Sequence, residues 1–77
     1  MRILADEELL KELGLRIRAL RDRDGVRQGD LAMKAKIRRT HLSQIEKGSG
    51  GAPKINTLYA ISKALGVPLA ELLTNVG

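Results

Sequence analysis

The chain has 77 residues, which is enough for one domain, and it contains no cysteine and one aromatic residue, Tyr59. A disulfide framework and a thiolate metal site are therefore excluded, and the core must be built from aliphatic side chains. No apolar run approaches the roughly 20 residues of a membrane span, and the first residues do not form the apolar region of a signal peptide. These features fit a cytoplasmic protein that has no membrane partner.

The net charge of +5 is concentrated in the middle of the chain. Residues 1–15 carry a net charge of −2, residues 16–54 carry +7, and residues 55–77 are neutral. A localised basic segment is the electrostatic footprint expected of a phosphate-binding surface. A solvated basic face without a partner would have the same charge count, so charge alone leaves both interpretations open.

Helical periodicity dominates the chain, and no stretch alternates in the way that a half-buried strand does. The first helix is predicted to begin at Asp6, a good N-cap, and to end at Gly25. One apolar stripe runs along it at four- and three-residue steps, formed by Leu9, Leu13, Ile17 and Leu20. Gly14 interrupts this stripe at a cost of about 1 kcal/mol relative to Ala, so we expect the helix to be firm only beyond Leu13.

Four shorter helices follow the first one. Their predicted ranges are 28–34, 39–47, 55–65 and 69–74. Gly48 and Gly66 are placed to stop the third and fourth helices, Pro68 suits the start of the fifth, and residues 48–53 form the one clear loop. Five helices with short connections predict an all-α fold, a compact five-helix bundle.

Residues 28–47, QGDLAMKAKIRRTHLSQIEK, combine two short helices with a tight turn. Ala32 is expected where the two helices cross at close range, because a larger side chain would push them apart. The remaining positions of the third helix and its start are polar or basic, namely Arg38, Arg39, Thr40, Ser43, Gln44 and Lys47. Such a unit can lay its second helix in the major groove of double-stranded DNA, N-terminal end first.

Four segments give the chain a wider resemblance. They are LGLRIRALR (13–21), Gln28 with Asp30-Leu31-Ala32, RRTHLSQIEKG (38–48) and ALGVPLAELL (64–73). In this order and spacing they resemble the helix-turn-helix family of phage repressor and Cro proteins, which includes restriction–modification controller proteins and many antitoxins. The resemblance implies a lambda-repressor-like DNA-binding domain over residues 13–77, with residues 1–12 as an N-terminal extension of helix one. It also implies a sequence-specific transcription regulator, a repressor rather than an activator, that binds a palindromic operator as a homodimer.

The resemblance implies roles for individual side chains. Those that match positions reaching base edges or nearby phosphates are Arg38, Arg39, Thr40, Ser43 and Gln44. Gln28 matches a glutamine that holds a phosphate at the start of the second helix, and Arg27 beside it is expected to bind DNA as well. Further phosphate contacts are expected from Lys47, Ser49 and Lys54. The chemistry agrees independently, because arginine pairs with guanine O6 and N7, and glutamine pairs with adenine N6 and N7.

Two further sets of residues concern the scaffold and the assembly. Arg21 and Glu46 match a pair that, in the family, forms a salt bridge between the first helix and the end of the third. The C-terminal segment is apolar and nearly uncharged, as an isologous contact prefers, and in the family it often forms the dimer contact. The expected dimer residues are Val67, Leu69, Leu72, Leu73 and Val76. The same side chains would also suit the edge of the monomer's core.

Three features depart from the family pattern. Lys36 occupies the turn position where the family usually has Gly, so a left-handed conformation there would be strained. Arg27 and Arg38 stand where the family prefers Ser or Thr as helix N-caps. The loop between Glu46 and Pro53 is one residue longer than is typical, and it contains three glycines.

Two other classes of function compete with this interpretation. A protein-interaction module of the same fold, such as an antitoxin or a coactivator, would need an extension that binds a toxin or another partner, and residues 1–12 are the only spare segment. An enzyme is the weakest alternative, because His41 is the only histidine and no group of residues could carry general acid–base or metal chemistry. No cofactor or metal is expected.

Overall fold

Five helices and no strand form the regular structure of residues 6–73, which are the residues that the computed structural model describes. The helices are α1 Asp6–Arg23, α2 Gln28–Ala35, α3 Arg39–Lys47, α4 Ile55–Leu65 and α5 Leu69–Leu72. The predicted all-α class and the order of five helices are confirmed. The bounds of α3 and α4 are those predicted, whereas α2 extends one residue further and α5 ends at Leu72. The predicted end of α5, Thr74, lies outside the described residues.

Each helix contributes one aliphatic side chain that is completely buried. These side chains are Ile17, Leu31, Leu42, Ile61 and Leu72. Full burial of a side chain of this size stabilises the folded state by about 1.5–3 kcal/mol. The core therefore joins all five helices, and α5, although only four residues long, is anchored in it.

Gly14 lies in the middle of α1 and does not interrupt the helix. The expectation that α1 would be firm only beyond Leu13 is therefore wrong. A Cβ at position 14 would overlap the main-chain carbonyl oxygens of Ile45 and Glu46, lying 2.5 Å from the oxygen of Ile45. Glycine is needed here because the end of α3 lies directly against α1, and this close approach fixes the position of α3.

No helix within residues 6–73 is long and apolar enough to cross a membrane. The same residues contain no group of three or more acidic or histidine side chains placed to hold a metal ion.

Candidate nucleic-acid interface

A tight turn at residues 36–38 connects α2 to α3. Lys36 adopts the left-handed conformation, with φ 59° and ψ 40°, and it is the only residue other than glycine with positive φ between residues 6 and 73. Its N–H donates to the carbonyl of Met33 at 3.1 Å, and the N–H of Ile37 donates to the carbonyl of Ala32 at 3.0 Å. Ala32 is buried, as expected for a position where two helices meet. The turn thus has the geometry that the resemblance implied, at a backbone cost of roughly 1–2 kcal/mol for a non-glycine residue.

A buried ion pair ties α3 to the scaffold. Arg21 on α1 donates from Nε to Glu46 Oε2 at 2.8 Å and from Nη2 to Glu46 Oε1 at 3.0 Å. Its Nη1 donates to the carbonyl of Val26 at 3.0 Å. Gln28 at the start of α2 donates from Nε2 to Glu46 Oε1 at 3.2 Å. The carboxylate of Glu46 therefore links α1, α2 and α3 in one network.

The network is largely shielded from solvent, and its polar groups are all paired. The side chains of Arg21 and Glu46 are 14% and 5% exposed. The hydrogen bonds to Glu46 raise the pKa of Arg21 above its ordinary value, against the opposing effect of burial. No buried side-chain nitrogen or oxygen within residues 6–73 lacks a hydrogen-bond partner. The network therefore holds the orientation of α3 without leaving an uncompensated polar group.

The predicted DNA-binding residues of α3 lie on two sides of that helix. Arg39, Ser43 and Lys47 follow one another at four-residue steps and line a cleft of about 690 Å³ together with Arg27 and Gln28. On the other side, Arg38, Thr40 and Gln44 line a shallower depression of about 550 Å³. Apart from the half-buried Ser43 and Gln28, these side chains are exposed. The structure therefore places the predicted base-contacting residues on α3 and its N-cap, divided between two sides of the helix.

Arg18, Lys36 and Thr57 line the two depressions but were not among the predicted DNA-binding residues. Arg18 on α1 lines the first cleft, where it lies 3.7 Å from Asp22 in an exposed ion pair. Its position three residues before Arg21 places both on one face of α1, and this spacing is the signal that could have identified it. Lys36, His41 and Thr57 line the second depression. The two depressions are therefore more basic than α3 alone would make them.

The first turns of α2 and α3 have no side-chain caps. The N-cap residues Arg27 and Arg38 have extended backbone conformations, and neither makes a side-chain capping hydrogen bond. Lys54 at the start of α4 is uncapped in the same way. Three helix starts thus combine free N–H donors with a basic side chain, an arrangement that favours anions. The departure from the Ser or Thr caps of the family pattern therefore leaves the starts of α2 and α3 without a side-chain cap.

The loop after α3 begins with a glycine cap. Gly48 has φ +73°, and a Cβ there would lie 2.8 Å from the main chain of Lys11 on α1. The N–H of Ser49 donates to the carbonyl of Gln44 at 2.9 Å, and its hydroxyl donates to the same oxygen at 3.4 Å. The predicted phosphate contacts of Ser49 and Lys54 remain predictions, and both residues are exposed.

The residues predicted for the dimer surface do not share one environment. Leu72 is completely buried in its own chain, so its assignment to the interface is wrong and it belongs to the core. Val67 and Leu69 are half-buried and pack against the core, whereas Leu73 is 45% exposed. Val76 lies outside the described residues. An apolar residue near the end of a small domain can lie either in the core or in an interface, and the sequence does not distinguish the two positions, which explains the error.

Known proteins resemble the chain over most of its length. The helix-turn-helix family HTH_3 matches residues 17–72. The restriction-modification controller protein C.AhdI from Aeromonas hydrophila is 27% identical, with a TM-score of 0.79, over 82% of this chain and 94% of that one. The clp gene regulator ClgR from C. glutamicum is 29% identical, with a TM-score of 0.78, over 84% of this chain and 83% of that one. SinR, a master regulator for biofilm formation solved in complex with DNA, is 34% identical, with a TM-score of 0.75, over 79% of this chain and 97% of that one. No curated protein matches the chain.

Proposed function

This chain belongs to the helix-turn-helix family, and from that premise we propose that it is a sequence-specific DNA-binding transcription regulator. It represses transcription as a homodimer bound to a palindromic operator. The observation that carries the proposal is the exposed polar and basic surface of α3, held in place by the buried contact between Arg21 and Glu46. A helix that reads bases must be both exposed and rigidly oriented, and α3 meets both requirements.

Direct readout is assigned to α3. Arginine and glutamine side chains offer paired donors or a donor–acceptor pair that match guanine and adenine in the major groove. The residues proposed to reach base edges or nearby phosphates are Arg38, Arg39, Thr40, Ser43 and Gln44. Arg39 and Gln44 lie on opposite sides of α3, so they are suited to contact different base pairs.

Phosphate contacts position the protein on the duplex. The side chains proposed for this role are Arg27, Gln28, Lys47, Ser49 and Lys54, together with Arg18. Gln28 uses one amide hydrogen for Glu46, which leaves the second for a phosphate oxygen. The uncapped N–H groups at the start of α2 point to the same use, because a helix N-terminus stabilises a phosphate.

We propose a homodimer because a single α3 helix can contact only a short stretch of DNA. One nine-residue helix contacts a short half-site, which limits both affinity and specificity. Two copies related by a twofold axis place two such helices in successive major grooves, about 34 Å apart. The exposed Leu73 and the half-buried Val67 and Leu69 support a contact through the C-terminal end of the described residues.

Selection of bound duplexes from a random pool tests the proposal. We expect the selected duplexes to contain an inverted repeat whose half-sites are centred about 10 base pairs, or a multiple of that distance, apart. Binding should weaken with salt, with a log–log slope of roughly −5 or steeper if each subunit contacts three phosphates. Failure to enrich any sequence, or a flat salt dependence, would contradict the assignment.

A further inference from the structure

His41 lies on α3 between two residues that are proposed to contact DNA. It follows Arg38 by three positions and precedes Gln44 by three, and residues spaced in this way are neighbours on the surface of a helix. All three side chains are exposed, and all three line the second depression. A DNA duplex that is contacted by Arg38 and Gln44 must therefore pass close to the imidazole of His41.

The ionised side chains around His41 are all positively charged. Those that line the depression with it are Lys36 and Arg38, both from the turn before α3, and α4 contributes the neutral Thr57. No carboxylate of residues 6–73 lines this depression, whereas two carboxylates line the first cleft. The described residues therefore offer His41 no negative charge that would favour its protonated form.

A DNA phosphate on this surface would supply the missing negative charge. An imidazole gains or loses its charge between about pH 5 and pH 8. A negative charge within about 4–6 Å favours the charged form, and both ring nitrogens of that form are donors that a phosphate oxygen can accept from. Binding of a phosphate beside His41 and uptake of a proton by its ring thus favour each other.

We propose that His41 binds a DNA phosphate as an imidazolium, so that operator affinity depends on pH. This inference rests on the proposed DNA-binding function and adds a phosphate contact and a linked proton to it. Because the proton is held more strongly in the complex than in the free protein, binding is strongest at low pH and weakens as the pH rises through neutrality. His41 is the only histidine in the chain, so no second imidazole contributes to this effect.

Operator affinity at two pH values tests the linked proton. We expect the affinity of the unmodified protein to rise about tenfold per subunit from about pH 8 to about pH 6, since a shift of one pH unit in one titration is a tenfold change in affinity. His41→Gln removes the titrating group, so its affinity should be nearly the same at both pH values. His41→Lys is charged at both, so it should also lose the pH dependence while binding more tightly than His41→Gln.

Arg38→Gln is the matched control, because it removes a permanent charge from the same depression. It should weaken binding by a similar factor at both pH values, and the pH dependence of the unmodified protein should remain. A pH dependence that survives unchanged in His41→Gln would overturn the inference. Absence of DNA binding at every pH would instead overturn the proposed function.

The salt dependence tests whether the partner of His41 is a phosphate. The log–log slope of the unmodified protein should be steeper near pH 6 than near pH 8, by up to about 0.9 per subunit, because one more phosphate is neutralised. His41→Gln should have the same slope at both pH values. Equal slopes for the unmodified protein would overturn the phosphate contact.

The imidazole can also be observed directly in the unmodified protein. Because the chain has a single histidine, the ring protons give one set of NMR signals in the free protein and one in the complex. We expect the titration of these signals to move to higher pH in the complex by about one unit. Calorimetry in two buffers of different ionisation enthalpy should show net proton uptake on binding. Titration of the ring at the same pH in both samples would rule out the linked proton.

Discussion

Arg21 and Glu46 are 25 positions apart in the chain, yet they form a bidentate pair that joins α1 to the end of α3. Because Glu46 also accepts a hydrogen bond from Gln28, one carboxylate sets the relative position of the three helices that carry the proposed interface. The geometry of α3 therefore depends on an ion pair whose two residues also line the first cleft of the proposed interface.

Removing one partner of this pair should cost much more than removing both. Arg21→Ala or Glu46→Ala leaves a poorly solvated charge, and we expect a loss of roughly 3–5 kcal/mol in the free energy of unfolding. Arg21→Met with Glu46→Leu should lose less than either single variant, because it leaves no unpaired charge. Urea unfolding of the three proteins measures the coupling, and simple additivity would contradict it. The exposed pair of Arg23 and Asp24 is the control, where either alanine variant should leave the stability nearly unchanged because solvent screens the pair.

Two helical glycines should respond to alanine with opposite signs. Gly14→Ala forces a methyl group into the carbonyl oxygens at the end of α3, and overpacking of this kind destabilises by about 1–3 kcal/mol. At Gly29 the only contact of a new Cβ is with Cδ of Arg39 at 3.8 Å, an ordinary van der Waals distance. Gly29→Ala should therefore stabilise the protein by up to about 1 kcal/mol through helix propensity. Thermal unfolding of both variants measures the two effects, and a stabilising Gly14→Ala would mean that α1 and α3 are further apart.

A feature of this structure could be predicted from the sequence when the residues that cause it lie close together in the chain. The bounds of α3 and α4 were predictable because apolar spacing and a following glycine act within a few residues. The role of Gly14 could not be predicted. A glycine within a helix suggests only a local loss of helix stability, and the residues that Gly14 packs against, Ile45 and Glu46, lie about thirty positions away in the chain. The inclusion of Arg18 in the cleft and the burial of Leu72 depend likewise on which surfaces the other helices cover.

Replacing Lys36 with glycine should stabilise the fold. Lys36 has φ 59°, a conformation that glycine adopts without the steric cost paid by other residues. We expect Lys36→Gly to raise the free energy of unfolding by about 1 kcal/mol. Lys34→Gly, two residues earlier within α2, should lower it by about 1 kcal/mol, because a helical residue loses propensity. Equal effects of the two variants in chemical unfolding would show that the turn is not left-handed.

Replacing Arg38 with serine should stabilise the fold and weaken DNA binding. Arg38 is the N-cap of α3 and makes no capping hydrogen bond, whereas a serine hydroxyl at an N-cap is worth about 1 kcal/mol. We expect Arg38→Ser to melt at a higher temperature and to bind the operator more weakly. If Arg38 neutralises a phosphate in each subunit, the log–log salt slope should become shallower by about 0.9 per subunit in the variant. Arg23→Ser, which removes the same charge at the exposed end of α1, should neither stabilise the protein nor weaken binding as much. A variant at position 38 with unchanged affinity would place this residue away from DNA.

Placing a charge at Leu73 should separate the dimer. Leu73 follows α5, is 45% exposed, and lies in a segment, residues 55–77, that carries one basic and one acidic side chain. Burying a glutamate in an apolar twofold contact places two like charges close together without partners, which is costly. We therefore expect Leu73→Glu to sediment as a monomer and to lose high-affinity operator binding while remaining folded.

Met33→Glu is the matched control, because Met33 on α2 is 71% exposed and outside the proposed contact, so its variant should stay dimeric and bind as before. A folded Leu73→Glu protein that remains a dimer and binds the operator unchanged would exclude this segment as the interface. Equal dissociation by both variants would move the contact to a different surface.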